Sequence, residues 1–131
     1  MDAPSNMTGY NAKVLDHFHN PRNCGELAQP DAVGLVRHGR SGDLIKLYVK
    51  LDGERIADVR FKTYGCGVAI ASSSALTELL HGKSISEARQ ITNSDIVTFF
   101  DSLPPEKVTC SEFAEELIAV TFGKISDTGK T

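Results

Sequence analysis

The chain has 131 residues, 40% of them hydrophobic, which suits one compact domain with a real core and leaves no room for a second. Fourteen basic against seventeen acidic residues leave a formal net charge of −3, so no nucleic-acid footprint and no affinity for an anionic membrane surface is expected. No apolar run approaches the ~20 residues a membrane-spanning helix needs, and the opening "MDAPSNMTG" lacks the apolar stretch of a signal peptide, so a cytoplasmic location is expected.

Residues 1–8 are polar with a proline and read as a disordered segment before a domain over 9–124, with 125–131 as a flexible tail. Tyr10, Val14 and Phe18 recur at i, i+4 and i+8 and mark a short amphipathic helix, which stops near Asn20 because Pro21 follows. From Val33 the pattern becomes strand-like. A short strand over 33–36 precedes Ile45, Leu47, Val49 and Leu51, which alternate with Lys46, Tyr48 and Lys50; Ala57, Val59 and Phe61 then alternate with Asp58, Arg60 and Lys62. Asp52-Gly53 signals a hairpin between the second and third strands. These three strands make an antiparallel meander with one buried face, too small to stand without helices covering it. Helices follow. One runs from Val68 to His81 and ends at Gly82; Ser84 with Glu87 forms a capping box for a short second, and Asn93 caps a third. After "LPPEK" at 103–107, Phe113, Leu117, Ile118 and Val120 mark a last amphipathic helix ending near Gly123. The fold class is α+β, a three-stranded antiparallel sheet packed by helices.

The three cysteines, Cys24, Cys66 and Cys110, are odd in number, widely spaced and in no CxxC pair, which argues for reduced thiols. In "KTYGCGVAIASSSALTELLHG" Cys66 stands between Gly65 and Gly67 where a strand gives way to a helix. The glycines give the backbone access to positive φ, leaving the thiol exposed at the strand end and close to a helix N-terminus, where unpaired amides favour a thiolate. Cys110 is expected to open the last helix in a similar way. In "GRSGDLIKL" Gly39 and Gly42 loosen the turn into the second strand, from whose start Asp43 projects. Asp43 alone reads as an ordinary turn aspartate, and either cysteine alone as a small buried apolar residue.

Two stretches, "SGDLIKLYVKLDGERIADVRFKTYGCGVAIASSSALTELLHGK" and "LPPEKVTCSEFAEELI", together with "VLDHFHNPRN", resemble the NifU-like N-terminal domain family, the scaffold proteins on which iron–sulfur clusters are built. The likeness runs from about Tyr10 to Gly123. It implies a metal site of three cysteines and an aspartate gathered at one end of the domain. Asp43, Cys66 and Cys110 match ligand positions. The family's first cysteine, two residues before the aspartate, is replaced here by Ser41, and a frequent histidine before the last cysteine is replaced by Thr109. A thiolate suits iron–sulfur clusters, a hydroxyl is a poor substitute, and a carboxylate ligand makes a cluster easier to hand on.

The resemblance further implies that Leu103, Pro104, Pro105, Glu106 and Lys107 are the segment grasped by an Hsp70-type chaperone working with its co-chaperone. Read without it, they are a helix-terminating proline loop. Lys107 is placed to stabilise a thiolate at Cys110 or to pair with Asp43, and Cys110 is the candidate acceptor of sulfur from a cysteine desulfurase. Cys24 falls on no family ligand position and reads as a loop cysteine packing as a small hydrophobe. His17, His19, His38 and His81 read as surface or capping residues. Three functions follow. The first is a noncatalytic scaffold for a labile [2Fe–2S] cluster destined for apo iron–sulfur proteins, with a homodimer compatible with it. The second is a mononuclear zinc or iron protein of the same fold acting in sulfur transfer, with Ser41 or water as fourth ligand. The third is a degenerate relative that keeps only partner binding.

Overall fold

The computed structural model of the protein describes residues 11–37, 42–101, 103 and 112–123. The expected segments 1–8 and 125–131 lie outside them, as do Ser41, Cys110, His38 and 104–107.

The expected α+β architecture is present: a three-stranded antiparallel sheet with helices against it. Helix α1, Ala12–His19, is capped by the Asn11 side chain on the Val14 amide and ends at Asn20, where Pro21 forbids continuation. Strands β1 (Ala32–Arg37), β2 (Leu44–Asp52) and β3 (Arg55–Tyr64) follow as a meander in the order β1-β2-β3. The hairpin turns at Gly53-Glu54 with Gly53 at φ +64°, the left-handed conformation expected of the glycine in Asp-Gly. Alternation then fails in one place. Lys50 faces Asp58 and Leu51 faces Ile56, so Ala57 is an extra residue in β3; Ile56 is buried and Ala57 exposed, contrary to the expectation from spacing. Tyr48 also departs from the polar face to which alternation assigned it, being buried under Lys46, whose Nζ lies 5.1 Å from the ring centre.

Helix α2, Gly67–Leu80, is buried on nearly every side. It lies against β3, with α1 and α4 (Asn93–Phe99) packed on it, while α5 (Ala114–Phe122) crosses β1 and β2. The approach of α5 to β1 requires Gly34, because a Cβ there would collide with the Thr121 side chain and lie 3.0 Å from its Cα. Short helix α3, Ile85–Ala88, carries the expected Ser84–Glu87 capping box. The cap of α4 is Thr92, one residue before the expected Asn93, because Thr92 and Asp95 form a second such box. Val120, expected on the core side of α5, is exposed. The core between sheet and helices holds Ile45, Leu47, Val59, Phe61, Leu76, Phe113 and Phe122.

Candidate metal centre

The candidate site lies where β3 turns into α2, beside the start of β2. Leu44 pairs with Tyr64, so Asp43 comes opposite Gly65. Gly42, immediately before it, has φ +77°, in the left-handed region that favours glycine. The reason for Gly65 differs from the expected one. Neither Gly65 nor Gly67 has a positive φ; Gly67 is the first residue of α2, and Gly65 is required because an added Cβ would lie 2.7 Å from that of Asp43.

Asp43 is thereby buried, with 5% of its surface exposed. Its Oδ1 accepts the Cys66 amide at 3.2 Å, and the Cys66 thiol donates to its Oδ2 at 3.4 Å. Cys66 is the N-cap of α2 with extended backbone (φ −76°, ψ 166°), so carboxylate and sulfur both stand at the positive end of a helix of 14 residues. The thiol is half-buried and packs on the core, less open than expected. A tetrahedral ion bound to one carboxylate oxygen and one thiolate would hold those atoms about 3.5 Å apart. The observed separation therefore fits a shared metal ion without moving the backbone.

Of the expected ligand set, Asp43 and Cys66 are brought together, while Ser41 and Cys110 lie outside the described residues. Among the described residues, no group of three or more His, Cys, Asp or Glu side chains converges to hold a metal. Helix α5 has Phe113 at its N-cap, and the expected place of Cys110 at the opening of the last helix lies outside the described residues. In the expected chaperone segment, Leu103 is buried at 8% exposure and belongs to the core cluster; Pro104, Pro105, Glu106 and Lys107 lie outside the described residues.

Cys24 is exposed rather than packed, and its backbone bridges to Phe61 at the edge of β3. His17 is the larger correction. It is buried at 3% exposure, with Nδ1 2.7 Å from Ser74 Oγ and its ring edge-on to Phe99 and Phe100. Burial, then the nearby Arg22 charge, holds its pKa below the ordinary 6.5, against the opposing pull of Glu78 and Asp16. His19 and His81 are exposed, and His81 caps the end of α2 as expected. The sequence reading passed over Thr63 and Ser73, whose hydroxyls meet at 2.8 Å beside the Cys66 turn. The available signal was three consecutive serines in a largely apolar helix.

Among the described residues, no helix is long and apolar enough to cross a membrane. The sequence profile of the family described as NifU-like N terminal domain matches residues 9–128. The iron-sulfur cluster assembly scaffold protein IscU of Escherichia coli K12 is 49% identical over 113 residues, covering 83% of this chain and 88% of its own length. Iron sulfur cluster assembly protein 1 of Trachipleistophora hominis is 48% identical over 112 residues, covering 83% and 80%. The crystal structure of the N-terminal part of a nitrogen-fixing NifU-like protein from Brucella abortus superposes with a TM-score of 0.73 over 92% of this chain and 95% of that one; at 21% identity it shows the fold alone. A profile that spans nearly the whole chain, and relatives close to half identical over most of it, show that the protein belongs to the NifU-like N-terminal domain family.

Proposed function

We propose that the protein is a scaffold on which an iron–sulfur cluster is assembled as cargo and from which it passes to apo iron–sulfur proteins. The observation that carries this reading is the 3.4 Å pairing of a buried carboxylate with a cysteine sulfur at a helix N-terminus. A soft thiolate and a hard carboxylate on one site hold iron without holding it tightly, which suits a cluster meant to leave. The names of the relatives, iron–sulfur cluster assembly proteins, support scaffold over catalyst and favour this reading over a mononuclear zinc or iron protein.

In this proposal Asp43, Cys66 and Cys110 bind the cluster, a [2Fe–2S] unit, and Ser41 stands where a third thiolate is expected. Cys110 is the sulfur acceptor. Its thiol attacks the outer sulfur of a cysteine-desulfurase persulfide, an S–S bond forms to Cys110, and the desulfurase cysteine leaves as a thiol. Lys107 stabilises charge beside it. The Leu103–Lys107 segment binds an Hsp70-type chaperone, and because Leu103 is buried in the core, capture in an extended form requires that side chain to leave. The cytoplasm is the proposed location.

Anaerobic reconstitution with ferrous iron and sulfide tests the reading. Iron and acid-labile sulfide should bind in equal amounts, Cys66→Ser should abolish binding, and Ser41→Cys should raise occupancy and prolong survival against a chelator. In the Ser41→Cys background, Asp43→Ala should slow release further by removing the labile oxygen ligand. One zinc ion without sulfide would sink the scaffold reading.

A further inference from the structure

The run Ser72-Ser73-Ser74 in α2 points three ways. Ser74 Oγ accepts the Arg22 amide at 2.8 Å and meets His17, so it faces α1. Ser72 Oγ is buried and finds no hydrogen-bond partner among the described residues. Ser73 faces β3. Its one hydroxyl proton is donated to the Ala69 carbonyl at 2.8 Å, so toward Thr63, also at 2.8 Å, it acts as acceptor and Thr63 donates. Thr63 lies three residues before Cys66 and stands opposite Ile45, two residues after Asp43. The hydrogen-bond chain Thr63–Ser73–Ala69 therefore ties the end of β3 to the second turn of α2 across the bend that carries Cys66.

We propose that Thr63 and Ser73 are positioning residues for the metal centre: their clasp sets the bend so that the Cys66 sulfur stays half-buried against the Asp43 carboxylate. The purpose rests on the scaffold reading, but the clasp acts on the thiol in metal-free protein, so the two can fail separately.

The full-length, metal-free protein provides the test. Thr63→Val keeps the shape and removes the donor. Alkylation of Cys66 by iodoacetamide, followed by mass spectrometry of its peptide so that Cys24 and Cys110 do not interfere, should run about fivefold faster, the effect of losing roughly one net hydrogen bond. Affinity for Co(II), read from its sulfur-to-cobalt charge-transfer band, should fall by a similar factor. Thr63→Ser should restore both. Ser74→Ala, on the face of the helix turned to α1, should lower the melting temperature yet leave the Cys66 rate and the cobalt band unchanged. If Thr63→Val does not fold, Ser73→Ala removes the acceptor of the same bond and carries the comparison. Parental values in these variants, or a Ser74→Ala variant that shifts both readouts as far, would overturn the proposal. Failure to assemble iron with sulfide while the clasp effects persist would overturn the scaffold reading instead.

Discussion

The β2–β3 pair is held differently at its two ends. At the hairpin end the main chain does most of the stitching: the Ile56 amide donates to the Lys83 carbonyl at 2.8 Å, Gly82 to Ile56 at 3.0 Å and Ile85 to Glu54 at 2.8 Å, with one exposed side-chain bond from Arg55 to the Gly82 carbonyl at 2.8 Å. At the other end side chains take over, with Asp43 accepting from Cys66 and Thr63 bonded to Ser73. Backbone bonds survive most substitutions because every residue but proline supplies them. Side-chain bonds are addressed one residue at a time. In the proposed scaffold, moreover, the oxygen and sulfur that hold the site end together without metal would be the atoms offered to a metal, so loading would exchange one set of bonds for another.

Gly65→Ala is the largest expected effect. The new Cβ cannot share its place with the Asp43 side chain, so overpacking should cost about 1–3 kcal/mol in urea unfolding and abolish the Co(II) charge-transfer band. Retention of that band would break the account of the site end. Ser84→Ala, at the hairpin end, should cost about 1 kcal/mol through loss of a helix cap while leaving Cys66 alkylation as it was. A changed alkylation rate there would mean the two ends are not separable.

A pH effect should be smaller and sharpen the contrast from the other side of α2. His17 packs among Ser74, Phe99 and Phe100, with Arg22 and Lys13 disfavouring its protonation and Glu78 and Asp16 favouring it. Its folded pKa is lowered from 6.5, so its contribution is present in full above that value and lost as pH falls through the folded pKa. Melting curves between pH 8 and 5 should show this loss, and His17→Gln should flatten the part that belongs to the histidine. An identical profile in the variant would remove His17 from the explanation. Smallest of all is Ser72→Ala, which deletes a buried hydroxyl with no partner among the described residues; stability should stay level or rise by up to about 1 kcal/mol.

Much of the frame is local and was therefore readable from the chain. Pro21 ends α1 wherever the helix packs, Gly53 after Asp52 turns the hairpin, and Ser84 with Glu87 caps α3, since each acts on neighbours a few residues away. A glycine-flanked cysteine and a resemblance covering most of the chain also pointed to Asp43 and Cys66, with Cys110, as candidate ligands, and the structure puts the first two in contact. Tertiary structure decided the rest. The extra residue at Ala57 depends on how β3 meets β2 and reversed the face that alternation assigned. His17 became interior because α4 brings Phe99 and Phe100 against it. Gly65 answers to Asp43, and Thr63 to Ser73, across separations that no local pattern encodes. Spacing along a chain records periodicity and turn chemistry, whereas which side chain fills a neighbour's space, or accepts its proton, exists only once distant segments have been packed together.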